Sequence, residues 1–304
     1  MLDVTRLRVL AAVSRYGSVT TAARALGYAQ ASVSHHLARL EAETGCQLTQ
    51  RVGRGIRLTE AGQMLAQRAE EILGRLDVAE VDLAAYTGLR AGRVRLAAFP
   101  SALGTFVPAA AAAYLTAHPG VEVRFTEAEP PDAIRLLRTG QVDVAVVFSY
   151  PDAPPGDGLR HTPLLTEDIF LVTPTGMTGD QLSDHARQRW IGGCERCRDH
   201  LLRLCATAGF QPEIAFTTDD YVAAQSLVAA GLGVTTLPAL ALAAQRHDGV
   251  RTVQIPTAQR RVDAVVYGEP PDPPATAALL TQLTRAAATH RPMNLIGRKA
   301  VHRP

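Results

Sequence analysis

The chain has 304 residues, of which 47% are apolar, and its formal net charge is +2. This length allows two or three domains, and the apolar fraction can supply their cores. Four cysteines are too few for a disulfide framework, and no apolar run reaches the roughly 18 residues that a membrane span needs. Because arginines interrupt the first apolar run, the N-terminus does not resemble a signal peptide, and we expect a cytoplasmic protein without membrane contact.

The small net charge hides a division along the chain. Residues 1–58 contain eight arginines and three acids, whereas residues 59–88 contain two arginines and six acids. A basic segment followed by an acidic one predicts a polyanion-binding head joined to a solvated stalk.

Three short helices are predicted at the start of the chain. Asp3 can cap the first, which ends at Gly17, and Ser18 can cap the second, which ends at Gly27. The third contains QASVSHHLARLE at residues 30–41, where apolar residues recur at helical spacing: Val33, Leu37 and Leu40. Two helices joined by a short glycine-containing turn predict a helix-turn-helix.

The outer face of the third helix is polar and free of acids until Glu41. It carries Gln30, Ser32, Ser34, His35 and Arg39. An ordinary helical bundle, the alternative interpretation, usually mixes acids with bases on its outer faces. Glutamine can pair with adenine, and short serine and neutral histidine side chains can donate to or accept from base edges. The pattern therefore favours a helix that enters the major groove of DNA.

Residues 51–59, RVGRGIRLT, predict a tight β-hairpin with Arg54 at its tip, where it can reach phosphate or the minor groove. Thr59 is predicted to cap a long helix that ends near residue 88. Its apolar residues follow a heptad pattern: Gly62, Leu65, Ala69, Ile72, Leu76, Ala79, Leu83 and Tyr86. Packing on the chain's own core is the alternative, but the acidic flanks favour a dimerisation helix. We assign its seam to Leu65, Ile72, Leu76 and Leu83.

From residue 93 the pattern changes to alternating strands and helices. Strands are predicted at residues 93–99, 121–128, 142–149, 168–174, 189–193, 213–218, 233–238 and 261–269. Helices are predicted near residues 103–117, 132–139 and 275–289, and another begins near residue 197. Two α/β lobes linked by crossing strands are expected, and such lobes usually bind a ligand in the crevice between them.

Taken together, these segments resemble LysR-type transcriptional regulators. The stretch GSVTTAARALGYAQASVSHHLARLEAETGCQL, followed by RVGRGIRLTEAGQ, is similar to the winged helix of that family. AGFQPEIAFTTDDYVAAQSLVAAGLGVTTLP is similar to the second lobe of the family's effector domain. The resemblance covers residues 2–290.

The resemblance implies an N-terminal all-α winged helix-turn-helix and an α/β effector domain of two lobes, of the periplasmic-binding-protein-like (type 2) class. It implies a homodimer or homotetramer on an interrupted palindromic operator in double-stranded DNA. The other implied partners are RNA polymerase and a small-molecule effector, for which an anionic metabolite is one candidate class. We place the winged helix at 1–58, a linker helix at 59–88, the effector domain at 93–290 (lobe I 93–163 and 266–290, lobe II 164–265) and a disordered tail at 291–304.

Carried over by position, the resemblance places Gln30, Ala31, Ser34 and His35 in the major groove and Arg54 at the wing tip. The full predicted DNA-binding set is Ser18, Gln30, Ala31, Ser32, Ser34, His35, Arg39 and Arg54. Four positions depart from the family pattern: Ala31 replaces a usual proline, Ala29 a hydroxyl cap, Thr49 an aromatic and His35 a common arginine. We therefore expect a weaker start of the helix, weaker wing packing and a weaker charged base contact.

The predicted effector-binding residues are Ser101, Glu129, Gly193 and Cys194. Ser101 is expected to cap the helix near residue 103, and a helix N-terminus with a hydroxyl suits a carboxylate. In the family this position commonly lines the effector cleft, although a cap without a ligand is the alternative. Glu129 departs from the small residues often found there, which argues against a simple anion pocket.

The cysteines support an alternative function, a thiol-based redox sensor that uses Cys194, Cys197 and Cys205. This region resembles the redox segment of peroxide-sensing LysR regulators, with Cys205 at the resolving position, but Arg196 stands at the peroxide-attacking position. Buried small apolar residues are the simpler explanation. Because a second compact ligand pair and catalytic motifs are missing, we predict no metal site, no cofactor and no enzymatic activity.

Overall fold

The computed structural model describes residues 2–52, 55–86, 93–151 and 158–290. It divides the chain into two compact units, one of residues 1–90 with 138–141 and one of residues 91–137 with 142–304. The predictions for Arg54 and for the tail from residue 291 lie outside the described residues. None of the described helices combines the length and hydropathy that a membrane crossing needs.

The first unit consists of three short helices, a hairpin and a long helix. These are α1 (Val4–Tyr16), α2 (Val19–Leu26), α3 (Gln30–Thr44), β1 (Thr49–Val52), β2 (Gly55–Leu58) and α4 (Glu60–Tyr86). The predicted caps are confirmed: the Asp3 carboxylate accepts from the backbone N–H of Arg6 at 3.0 Å, and the Ser18 hydroxyl accepts from that of Thr21 at 3.1 Å. Gly17, at a left-handed φ of 70°, ends α1 and lets the chain turn into α2.

The core of the first unit lies between the short helices and the start of α4. The inner face predicted for α3 is confirmed, because Val33, Leu37 and Leu40 are all buried. They pack in one cluster with Leu7 and Leu10 of α1. As expected from Ala29, no side chain caps α3.

Glu41 ties α3 to the hairpin. Its Oε1 accepts from the backbone N–H groups of Leu48 and Thr49, at 2.9 and 2.8 Å, and from the Thr49 hydroxyl at 2.9 Å. Hydrogen bonds therefore hold Thr49 in place, at the position where the family pattern has an aromatic residue. The Thr59 hydroxyl accepts from the backbone N–H of Gly62 at 3.0 Å, which confirms the predicted cap of α4.

The first part of α4 packs differently from the predicted heptad seam. Gly62 and Ala69 are buried and Leu65 is half-buried, because this side of α4 lies on the core of the first unit. Leu65 therefore contacts the core of the first unit, and its part in a dimer seam stays a prediction. Ile72 and Leu76, in contrast, are 38% and 41% exposed. The heptad pattern of the sequence mixes an inward face with an outward one.

The second unit contains eight strands and seven α-helices among its described residues. The strands are β3 (Arg93–Ala98), β4 (Glu122–Glu127), β5 (Val144–Ser149), β6 (Leu159–Pro174), β7 (Arg189–Gly192), β8 (Glu213–Thr217), β9 (Val234–Pro238) and β10 (Val250–Tyr267). The helices are α5 (Pro100–Leu103), α6 (Phe106–Ala117), α7 (Pro130–Arg138), α8 (Glu195–Thr207), α9 (Tyr221–Ala229), α10 (Ala239–Ala244) and α11 (Pro274–Thr289). The strands form one sheet in the order β4-β3-β5-β10-β6-β9-β7-β8.

Two long strands, β6 and β10, lie side by side in the middle of this sheet. β6 and β10 pair antiparallel from Leu159↔Tyr267 to Val250↔Pro174, so the strands predicted at 168–174 and 261–269 are only parts of longer elements. Between Gln254 and Gln259 the register shifts, and Thr257 takes a left-handed φ of 63°. The crossing strands expected between two lobes are thus present, with a bulge along one of them.

The helix predicted near residues 103–117 is divided in two. Thr105 has a non-helical backbone (φ −130°, ψ −98°) and separates α5 from α6. Ser101 lies inside α5, and Phe99 is the N-cap of that helix. The predicted capping role of Ser101 is therefore wrong.

We predict that Gly62→Ala destabilises the first unit. A Cβ atom at this position would overlap the carbonyl oxygen of Leu48, so α4 would have to move away from the hairpin. The expected loss is about 1–3 kcal/mol, the usual cost of overpacking, even though alanine is the better helix former. Hydrogen exchange of the α1 and α4 amides in the full chain measures this loss.

The control is Gln63→Ala at the next, exposed position of the same helix. It should change local stability by less than about 0.5 kcal/mol. Unchanged amide protection in Gly62→Ala would show that α4 does not need this close approach.

Candidate functional site

The outer face of α3 is exposed along its length. The predicted residues Gln30, Ala31, Ser32, Ser34, His35 and Arg39 are all exposed. Ser18 is half-buried, and its hydroxyl is already engaged in capping α2. The structure thus gathers six of the eight predicted DNA-binding residues on one open surface.

The acids of α3 are directed away from this face. Glu41 is taken up by the three hydrogen bonds to the hairpin, and Glu43 pairs with Arg6 of α1. Among the described residues, no carboxylate forms an ion pair with Arg39 or with Arg51 of the hairpin. The surface around α3 therefore offers cations and neutral hydrogen-bonding groups to a polyanion.

A cleft opens in the second unit at the centre of its sheet. Its open space is about 650 Å³, part of it continuous with solvent. The wall includes residues from the ends of several strands and the starts of several helices: Phe99, Ser101, Glu129, Phe148, Tyr150, Gly193, Cys194, Cys197, Thr218, Asp219, Tyr221 and Arg260. All four predicted effector-binding residues, Ser101, Glu129, Gly193 and Cys194, line this cleft.

Arg260 forms the floor of the cleft and was not predicted. Its side chain is 3% exposed, and its Nε donates to Glu167 Oε1 at 2.7 Å. The guanidinium carbon lies 4.9 Å from the ring centre of Phe99 and 4.2 Å from that of Phe148. Burial alone would lower the pKa of Arg260, but the Glu167 carboxylate raises it, so the group is a fixed cation.

Ser101 contributes its hydroxyl to the same cation. It is 6% exposed, and its Oγ accepts from Arg260 Nη2 at 3.1 Å. The predicted location of Ser101 in the cleft is thus correct for a different reason from capping. A ligand oxygen at this point would meet a hydroxyl that can rotate and a guanidinium that cannot lose its proton.

Glu129 and Gly193 stand on the wall with the cysteines. The pKa of Glu129 is raised, mainly because the carboxyl is buried, and the charge of Arg260 only partly offsets this effect. Within the described residues, the buried Oε2 of Glu129 has no hydrogen-bond partner. At Gly193 an added Cβ would lie 3.0 Å from the Cβ of Cys197, so this glycine allows the close approach of α8.

The structure separates Cys205 from the other two cysteines of the alternative function. Cys194 Sγ lies 3.0 Å from Cys197 Sγ, and both residues line the cleft. Cys205 is fully buried in the core of the second unit, where burial raises the pKa of its thiol to about 11. No group of three or more metal-ligating side chains occurs among the described residues.

The alternation of residues along its strand could have shown that Arg260 points inward. Val262 and Ala264 are buried, and residues two apart on a strand share one face. Arg260 has the same parity, so the pattern places it inward. Its charge concealed that position, because an arginine is rarely buried unless it is paired, and Glu167 is distant in sequence.

The comparisons with known proteins cover both units. Residues 4–63 match the family model described as bacterial regulatory helix-turn-helix protein, lysR family, and residues 87–288 match the LysR substrate binding domain. The HTH-type transcriptional regulator YcgK of Bacillus subtilis (strain 168) is 29% identical over 303 residues, covering 88% of this chain and 89% of that protein. A "probable hydrogen peroxide-inducible genes activator" of Mycobacterium avium is 31% identical over 273 residues, covering 85% and 86%.

A solved structure has the same fold. The crystal structure of full-length CbnR complexed with its target DNA superposes with a TM-score of 0.63 at 23% sequence identity, covering 94% of this chain and 100% of that one. Because the two family models span most of the sequence and the relatives are transcriptional regulators, this chain belongs to the LysR family of transcriptional regulators.

Proposed function

We propose that the chain binds operator DNA through the outer face of α3 and that a small molecule in the cleft around Arg260 switches this activity. The observation that carries the first part is the exposed, acid-free face of α3, from which both nearby acids are withdrawn by internal bonds. The observation that carries the second is a cleft, open to solvent, that is lined by the fixed buried cation of Arg260, by the Ser101 hydroxyl and by Glu129.

DNA recognition combines two kinds of contact in this proposal. Gln30, Ser34 and His35 read base edges in the major groove, where a glutamine amide pairs with adenine. Arg39, with Arg54 at the wing, neutralises phosphates and contributes affinity without sequence preference. Because Ala29 leaves α3 without a side-chain cap, the first turn depends on backbone bonds and on DNA contacts for its order.

Effector binding is proposed at the polar groups that line the cleft. A hydrogen-bond acceptor of the ligand, a carboxylate in an anionic metabolite, faces Ser101 and Arg260. The lining also includes Glu129 and Asp219, which suit a donor or a cation. Glu167 already neutralises Arg260, so a plain anion gains less here than beside an unpaired arginine.

We propose that the exposed apolar part of α4 joins two copies of the chain. Ile72 and Leu76 lie one turn apart and share one face, and Met64 lies two turns before Ile72 and is 57% exposed. Leu83 continues this spacing, but its side chain lies outside the described residues. A homodimer, or a homotetramer of two such pairs, would present paired winged helices to the half-sites of an interrupted palindrome, with RNA polymerase recruited beside it.

The redox alternative is supported by one contact and by the name of one relative. Cys194 and Cys197 are adjacent, and one relative carries a name that refers to hydrogen peroxide. Cys205 does not join them, because eight residues along a helix separate it from Cys197 by about 12 Å, and a disulfide needs Cα atoms within about 7 Å. A switch that uses all three cysteines would require α8 to unwind, so the small-molecule switch remains our proposal.

We predict that Gln30→Ala relaxes the preference for one base and weakens operator binding by about 1–3 kcal/mol, because a bidentate contact to a base edge is lost. Selection from random duplexes, followed by binding titrations at two salt concentrations, measures both effects. Gln67→Ala, an exposed glutamine of α4, is the matched control and should change neither. An unaltered sequence preference in Gln30→Ala would remove Gln30 from the base contacts.

We predict that Leu76→Asp separates the dimer and abolishes operator binding. The substitution places a carboxylate on the apolar face of α4, where burial of an unpaired charge costs several kcal/mol. Sedimentation of the full chain measures the oligomeric state. Leu115→Asp is the control, because Leu115 is 40% exposed in the second unit and Leu76 is 41% exposed. A Leu76→Asp chain that sediments as the unchanged protein does would locate the dimer contact elsewhere.

We predict that Ser101→Ala weakens the regulated response. Loss of a hydrogen bond to a charged group, about 1.5 kcal/mol, corresponds to roughly tenfold weaker effector binding. A reporter driven by the promoter beside the gene, titrated with metabolites of the neighbouring operon, measures the shift in half-maximal concentration. Ser183→Ala, at an exposed serine outside the cleft, should respond like the unchanged chain. Equal responses of Ser101→Ala and Ser183→Ala would exclude a ligand contact at Ser101.

A further inference from the structure

Two carboxylates in the lining of the cleft have no cation paired with them. Among the described residues, neither Glu129 nor Asp219 takes part in an ion pair. Arg260, the cation in the described lining, is already paired with Glu167. The cleft therefore carries an excess of negative charge, and a ligand that is only an anion would add to that excess.

Glu129 has the less favourable surroundings of these two carboxylates. Its Oε2 is buried and has no hydrogen-bond partner within the described residues. Its pKa is raised, mainly by burial and also by the charges of Asp219 and Glu127. A buried acceptor without a donor is destabilising, so a ligand group that donates to this oxygen would remove that penalty.

The fold brings this carboxylate to the same edge of the sheet as Ser101. Strands β3 and β4 run parallel, and just beyond them the backbone N–H of Ala128 donates to the carbonyl of Ala98 at 3.1 Å. The chain after β3 enters α5 with Ser101, and the chain after β4 reaches Glu129 immediately before α7. Both side chains therefore line one cleft at the carboxyl ends of neighbouring strands.

Much of the remaining lining is apolar. Phe99, Phe148, Ile169 and Leu237 all contribute to it. Such a lining suits a hydrocarbon body, whereas the polar groups of a ligand are oriented by the few polar side chains of a site. The expected ligand thus has an apolar part and two different polar groups.

We propose that the effector is a zwitterion, an amino acid with an apolar side chain, whose ammonium group donates to Glu129 while its carboxylate faces Ser101 and Arg260. This inference rests on the proposed effector function of the cleft and adds the chemical class of the ligand. The ammonium group supplies both the positive charge that the lining lacks and the donor that Oε2 of Glu129 lacks. Asp219, in the same lining, adds to the attraction.

The test compares ligands that differ in one group. Each apolar protein amino acid is titrated into the full chain by calorimetry, beside the hydroxy acid and the deaminated acid with the same side chain. Phenylalanine, phenyllactate and phenylpropanoate form one such series. We expect at least one amino acid to bind about 10- to 100-fold more tightly than both of its analogues, the effect of one hydrogen bond to a charged group.

Three results would overturn the proposal. A hydroxy acid that binds as tightly as its amino acid would show that a neutral donor is sufficient. A deaminated acid that binds as tightly would show that no donor is needed. Absence of binding by every apolar amino acid would exclude the class.

Glu129→Gln identifies the group responsible. The variant keeps the size of the side chain and removes its charge, so the preference for an amino acid over the deaminated acid should disappear while the deaminated acid still binds. Glu213→Gln, at an exposed position of β8 outside the described lining, is the control and should keep the preference. An unchanged preference in Glu129→Gln would contradict the assignment. The analogue series in the unchanged chain does not depend on the folding of this variant.

Operator binding measured with the same ligands separates this inference from the proposed function. If a deaminated acid binds as tightly as its amino acid and alters operator binding, the switch stands and the zwitterion is excluded. If an amino acid binds with the expected preference and operator binding does not change, the ligand class stands and the proposed switch fails.

Discussion

The second unit depends on the burial of one cation. A guanidinium removed from water is tolerated only when its charge is balanced and its N–H groups have partners. Glu167 balances the charge of Arg260 and accepts from its Nε through one carboxylate oxygen. Its other oxygen accepts from the backbone N–H of Leu240 at 2.7 Å. The rings of Phe99 and Phe148 cover the guanidinium. The central strands β6 and β10, the start of α10 and the aromatic wall are therefore all positioned by the same ion pair.

The parts of the fold that could be predicted are those controlled by neighbouring residues. The caps at Asp3 and Ser18, the glycine that ends α1 and the buried stripe of α3 are local, because each bond joins residues within one turn. The strands were found where apolar residues alternate or run together. For the same reason the exposed face of α3 could be predicted before any tertiary contact was known.

The parts that could not be predicted depend on contacts between distant residues. Arg260 and Glu167 are 93 positions apart in the sequence. Because each is charged, neither would be predicted to be buried unless its partner were known. The heptad pattern of α4 contained Gly62 and Leu65 because small and apolar residues suit either an intrachain core or a partner helix. Only the approach of α4 to Leu48 shows that its first turns are occupied within the chain. Beyond them, Leu76 is 41% exposed.

The Arg260–Glu167 ion pair also affects how the cleft could discriminate between ligands. A site with an unpaired arginine would select anions by charge alone, but here Glu167 has already compensated that charge. What remains for a ligand is directional: the hydroxyl of Ser101, the unsatisfied oxygen of Glu129 and the thiol of Cys194. A buried polar group left unpaired costs about 1–3 kcal/mol, so compounds that lack the matching donor or acceptor are rejected by that amount. Selectivity in this cleft is therefore expected to follow from the geometry of hydrogen bonds rather than from charge alone.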